Sequence, residues 1–278
     1  MPAADIPATA GAFTTILQAF TAQLKTGGQA IVEFQSDLCL TFFALQYLKA
    51  AAEFGLGHNI KQAIATLIGG SLWYGVAMNA VPLVDGYIQW MGSIGTMAGV
   101  SGSGANLSNP SALLDVGLTA IKGMGAATDD LSVLEAGGVL LLMCGTALAT
   151  LFGYMIIGIV AVVVVIYSYA GAMVAVALFP FLIEPSTRFL AAPGVGLVVS
   201  SGLSLGLTSM VLSVGHGAMA KLSAFDAGKE MTLGMAMNVM MASGLIAVLS
   251  GGVVFIGIMI GGKVGNFTRA WQGAAKSR

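Results

Sequence analysis

Residues 136–183 form a run of 48 positions without a single Asp, Glu, Lys, Arg or His. A lipid bilayer or an unusually large protein core can absorb such a stretch, and little else can. As one helix it would extend roughly 72 Å at about 1.5 Å per residue, more than twice a hydrocarbon core of about 30 Å. It therefore either crosses once, as a long tilted or broken helix that outruns the bilayer, or folds back as a hairpin.

The rest of the chain fits the same solvent. Residues 189–220 hold His216 as their only ionisable group, residues 231–262 hold none, and charged residues are 8% of the chain, against about 25% in soluble domains. The 11 basic and 12 acidic residues are spread thinly, with no basic stripe of the kind that grips a nucleic-acid duplex. Cys39 and Cys144 sit in apolar segments as small hydrophobes, giving neither a disulfide framework nor a metal spacing. Residues 1–10 lack a basic n-region and carry Asp5 and two prolines, so internal spans are expected to direct insertion.

The expected fold is an all-α polytopic membrane protein with five or six transmembrane helices plus short amphipathic helices. Residues 1–27 form an N-terminal segment in which Phe13, Ile16, Leu17, Phe20 and Leu24 recur at helical spacing, suited to the interface or a partner. Residues 28–91 hold the first two spans, about 30–48 and 64 into the 80s, the second meeting Pro82, which kinks or ends a helix. Tyr87 and Trp90 suit an interface belt. Residues 92–135 are polar, with Asn109-Pro110 starting a helix that places Leu113, Leu114, Leu118 and Ile121 on one side for docking to the membrane or a partner. Residues 136–262 are the hydrophobic core, turning near Pro180 and Pro185 and again at 221–230. Residues 263–278 are a basic tail with Phe267 and Trp271, expected on the membrane surface.

Lys and Arg placement puts Arg188 and the tail in the cytoplasm and 221–230 outside. It does not separate five spans from six, because either arrangement leaves the same basic excess inside.

No catalytic constellation is present. Gly102-Ser103-Gly104 follows no strand, Gly261-Gly262-Lys263 lacks the P-loop spacing, and His58 and His216 have no partner at ligand spacing. The chain reads as a non-enzyme with no cofactor and no metal. Glu33 and Asp37, four residues apart in the first span, and Asp85 beyond Pro82 are the candidate lumen or partner contacts, since ionisable groups in a span are expensive and usually face a cavity or partner. A span starting near Leu38 would instead leave both acids among the headgroups.

Glycine supplies the other signal. Gly145, Ala149 and Gly153, then Gly202 and Gly206, then Gly257 and Gly261 recur every four residues, and Gly158 adds a bending point. Such rows let helices approach closely in lipid, within this chain or across an assembly.

The order of features resembles the TrbL family, polytopic inner-membrane proteins of conjugative type IV secretion systems. The resemblance is carried by residues 109–118 (NPSALLDVGL), the long apolar segment through Tyr167-Ser168-Tyr169, and Phe179-Pro180-Phe181 before a charged turn and Phe189. The family pattern often has an acid beside the tyrosine and a Gly-Gly-Ser-Arg-like turn. Here Ser168 and Glu184-Pro185-Ser186-Thr187-Arg188 occupy those places, so Arg188 and the flanking aromatics carry over. The resemblance implies five spans, a periplasmic N-terminus and a cytoplasmic C-terminus in the bacterial inner membrane. It also implies a homo-oligomer supporting pilus or stalk assembly, contacts with a minor pilin, other inner-membrane secretion subunits and membrane lipid, and transient contact with the transferred DNA-protein substrate. The rival reading is a secondary transporter or channel, which discontinuous Gly/Pro helices and intramembrane acids favour and the lack of an internal repeat opposes.

Overall fold

A computed structural model describes residues 7–55, 60–98, 117–118, 121–122, 137–223 and 233–276. All of these lie in helices or in the tight turns between them. The helices are α1 (Pro7–Phe34), α2 (Ser36–Gly55), α3 (Ile60–Met78), α4 (Ala80–Ala98), α5 (Gly137–Val176), α6 (Arg188–Ser223) and α7 (Leu233–Lys276), with a 3-10 turn at Phe179–Leu182 between α5 and α6.

The uncharged run becomes one helix. α5 continues for 40 residues through Gly153 and Gly158, or roughly 60 Å at about 1.5 Å per residue, so the hairpin alternative is excluded. Its buried positions include Met143, Thr146, Thr150, Tyr154, Ile157, Ala161, Val164, Ser168 and Ala172, while Leu148, Phe152, Ile156, Ile159 and Val163 are exposed. The buried face thus holds the hydroxyls and the exposed face holds the large aliphatics.

The same inversion recurs downstream. α6 buries Ser200, Ser201, Ser204, Thr208, Ser209 and Ser213, and α7 buries Ala236, Ser243 and Ser250 while exposing Met241, Leu245, Val248 and Phe255. In water this pattern would cost heavily, whereas in lipid the tails solvate the aliphatics and small residues let helix backbones meet. Some of these hydroxyls find local acceptors: Thr150 donates to the Thr146 carbonyl at 2.8 Å, and Ser250 to that of Ile246 at 2.7 Å. This chain is a membrane protein.

Among the described residues three helices are long and apolar enough to cross a bilayer, over Leu141–Val176, Arg188–Gly215 and Gly234–Val264. A fourth candidate is the α3–α4 pair, which bends by 70° at its break. The bend sits at Asn79, three residues before Pro82. Proline has no N–H for the Met78 carbonyl and its ring crowds that carbonyl, so the helix restarts with Pro82 in its first turn. The Asn79 side chain helps close α3 by donating to the Gly75 carbonyl at 2.8 Å.

Of the expected five or six spans, the described residues supply three, or four with the bent pair, by length and composition. The expected first span, 30–48, is divided at Gln35 between α1 and α2, and neither helix is among the candidates. Gln29, Glu33, Gln35 and Asp37 dilute its apolar character. α1 also runs unbroken across residue 27, so the N-terminal amphipathic segment is not a separate piece. Of its expected apolar face Leu17 is buried, whereas Ile16 and Phe20 are exposed. At the other end α7 continues past the span to Lys276.

The chain forms two compact units. One gathers Met1–Ala19, Gly92–Ile166 and Leu205–Phe255, the other Phe20–Met91, Tyr167–Ser204 and Ile256–Arg278. In the first, the Ser209 hydroxyl donates to the Gly92 carbonyl at 2.9 Å, and Gly153 of α5 meets Ser243 of α7, where an added Cβ would stand 2.6 Å from the Ser243 Oγ. In the second, α2 and α3 pack as a pair and both touch the 3-10 turn.

Candidate functional site

The most heavily bonded place in the second unit is the turn that links α5 to α6. α5 tightens at its end, with the Ala177 and Leu178 amides bonding three residues back to Val174 and Ala175 at 3.1 and 3.0 Å. Pro180 then fits the start of the 3-10 turn, where its missing N–H is no loss. Thr187 closes the turn by donating to the carbonyls of Phe181 and Glu184 at 3.1 and 3.0 Å. Arg188 Nε donates to the Leu182 carbonyl at 2.8 Å, and its guanidinium lies 5.5 Å from the Trp73 ring centroid, a cation–π distance.

α2 and Gln35 just before it read this turn along one face. Gln35 Nε2 donates to the Ala177 carbonyl at 2.9 Å, and the Phe42 and Phe181 rings meet at 5.9 Å. Further along, Gln46 donates to Glu184 Oε2, and Lys49 Nζ lies 2.5 Å from Glu184 Oε1. Residues 35, 42, 46 and 49 are spaced by seven, four and three, so they share a helical stripe.

Glu184 is 2% exposed. Burial pushes its carboxyl up, but the hydrogen bonds from Lys49, Ser186 and Gln46 together with the Lys49 charge outweigh it and hold the group below the ordinary carboxylate range. Ser186 Oγ contributes at 2.9 Å. The result is an ionised carboxylate kept out of water by three donors, an arrangement that clamps two chain segments together.

A second charged group joins α1, α4 and α5. Lys25 Nζ lies 2.8 Å from Asp85 Oδ1, and Gln89 Nε2 donates to Asp85 Oδ2 at 2.9 Å. The Lys25 ammonium sits 5.5 Å from the Tyr169 ring centroid, and Tyr169 faces the same carboxylate.

A model of the TrbL/VirB6 plasmid conjugal transfer protein family matches residues 40–253. That span covers the bent pair, the whole of α5, the clamped turn, α6 and most of the α7 crossing. The chain belongs to the TrbL/VirB6 family. It is thus a membrane subunit of a conjugal transfer, or type IV secretion, apparatus, and membership implies association with other components of that apparatus. Comparison with curated proteins returns no significant match.

Within this TrbL/VirB6 member the sequence-nominated residues are dispersed. Glu33 and Asp37 are exposed on either side of the Gln35 break, and Asp85 is engaged by Lys25 rather than standing open. Gly257 and Gly261 of α7 approach α6 closely: an added Cβ would stand 2.8 Å from Ser204 Cα and 2.6 Å from Ser200 Cα respectively. Gly202 of α6 faces the Tyr87 ring, where an added Cβ would stand 2.7 Å from Cζ, and Gly206 is buried. Gly145 instead lies open with nothing within 4 Å, and Ala149 is half-buried. Leu118 and Ile121 are helical and half-exposed, whereas Leu113 and Leu114 lie outside the described residues.

Gln46, Lys49 and Glu184 escaped the sequence reading, as did the partners of Asp85. One signal was available: Glu184 ends the long uncharged run and is where this chain departs from the TrbL turn pattern. No acid adjoins Tyr169 in sequence, since Ser168 occupies that place. The acid that faces it comes from Asp85, on a different helix.

Proposed function

We propose that this chain is a non-enzymatic inner-membrane subunit of a conjugative type IV secretion machine. In this reading it forms a homo-oligomer at the base of the pilus or stalk and lies on the path of the DNA-protein substrate. The α1–α2 stretch broken at Gln35 then adds a fifth crossing to the four candidates, which puts the N-terminus in the periplasm and the C-terminus in the cytoplasm, with Leu118 and Ile121 on a helix offered to a minor pilin or another periplasmic partner. The family match over residues 40–253 carries the proposal. The exposed aliphatic faces of α5 and α7 support it, offering surface to lipid and to neighbouring copies. Separate ATPases would supply the energy.

An in-frame deletion in a conjugative element should abolish plasmid transfer and pilus production, with both restored by the full-length gene. Normal transfer from the deletion strain would refute the proposal. Periplasm-active reporters fused after residues 12 and 276 test the topology, the first being active and the second silent.

The 70° break between α3 and α4 favours a second reading, a secondary transporter or channel, because discontinuous helices line many such sites. Purified protein in proteoliposomes would dissipate an imposed ion gradient under that reading and leave it intact under the first.

A further inference from the structure

Lys25 is the only basic residue before Lys49, and Asp85 is the only charged residue between Lys61 and Asp115. Each would be expensive to keep ionised alone beside apolar spans. The fold brings them together across 60 positions of sequence, at 2.8 Å. We infer that Lys25, Asp85 and Tyr169 form an interhelical charge latch that holds residues 20–34 of α1 in register against α4 and α5, making that part of α1 a built-in element of the second unit rather than an arm on the membrane surface.

A neighbouring contact fixes the register independently. Gly28 lies one turn beyond Lys25, and an added Cβ there would stand 2.5 Å from Met173 Sδ and 3.3 Å from Val81 Cγ2. From the first contact to the second, α1 advances from 25 to 28, α5 advances from 169 to 173, and α4 retreats from 85 to 81. α1 therefore runs parallel to α5 and antiparallel to α4 at this place, and both contacts demand the same alignment. The ammonium has two partners, a carboxylate and the face of an aromatic ring, and the carboxylate is steadied by Gln89. Asp85 is thereby committed to positioning α1 and is not a conduit carboxylate.

The charge pair of the latch works in either direction, whereas the ring contact needs a cation at position 25, so exchanging the charges restores the pair alone. Full-length protein in detergent should lose about 2–6 °C of melting temperature on Lys25→Asp or on Asp85→Lys, and limited proteolysis should cut within α1. The double variant with the charges exchanged should recover more than half of that loss and restore protection. Gly28→Val, which leaves both charges in place but forces the helices apart, should give the same α1 cleavage. Where the reversed single variants fail to accumulate, Lys25→Met and Asp85→Asn substitute for them, and their combination should melt no lower than the poorer of the two. Additive losses in either double variant, or single variants with unchanged melting and cleavage, would overturn the latch.

Discussion

Lys49 on α2 and Glu184 in the turn between α5 and α6 meet at 2.5 Å although 135 positions separate them in sequence. The carboxylate is buried while the ammonium is about half exposed, so the pair is asymmetric. Lys49 loses little on leaving the turn, whereas Glu184 loses the charge that offsets its desolvation. The pair anchors α2 to the turn that links α5 to α6.

Replacing Lys49 with Met should therefore destabilise the protein by about 1–3 kcal/mol, because a buried ionised acceptor loses its strongest donor. Glu184→Gln keeps the shape, removes the need for a counter-charge and should cost less. Melting of the purified variants in detergent gives the order, and equal or reversed losses would contradict the asymmetry.

Acid should weaken the same clamp. The Glu184 carboxyl lies below its ordinary value of 4.5, so its stabilising contribution is fully present above that value and is lost as the pH falls through the lower folded-state value. Between pH 7 and pH 5 the clamp should be constant. Below about pH 4.5 the wild type should lose melting temperature more steeply than Glu184→Gln, and identical curves would show that Glu184 is not the titrating group.

Glycines should divide by what faces them. Gly257→Leu and Gly261→Leu drive a side chain into the Ser204 and Ser200 backbone and should cost about 1–3 kcal/mol or more through overpacking. Gly145→Leu meets nothing within 4 Å and should melt like the wild type. Should Gly145→Leu leave the isolated chain stable yet break up an assembly on native gels, the open face at Gly145 is a surface between copies.

The two thiols should differ in reactivity. Cys39 is 1% exposed and Cys144 is exposed, so a membrane-permeant alkylating reagent should modify Cys144 in the folded protein and reach Cys39 only after denaturation. Mass mapping of the modified residues checks this directly, and early labelling of Cys39 would place α2 differently.

Membrane residence and all-helical structure were legible in the chain, because bare composition and run length decide them. The continuity of α5 was left open by the residues, which allowed a hairpin, and was favoured only by the family resemblance. The bend near Pro82 was also readable, since a missing N–H acts within one helical turn, although its position at Asn79 was not. The first span was misread because Glu33, Gln35 and Asp37 interrupt it, and an apolar tally smooths over such a break.

The charged sites were not legible to the same degree. Glu33 and Asp37 stood out for their spacing and lie exposed, while Glu184 looked like an ordinary turn residue and is buried. Sequence by itself determined the solvent, the helices and the family, since these follow from local periodicity and from the cost of leaving charges in lipid. Tertiary structure alone decided which charges are paired and which glycines are covered. Lys25 finds Asp85, and Gln46 and Lys49 find Glu184, only after the path of the chain has brought distant helices to within a hydrogen bond of each other, and no local energy term encodes that path.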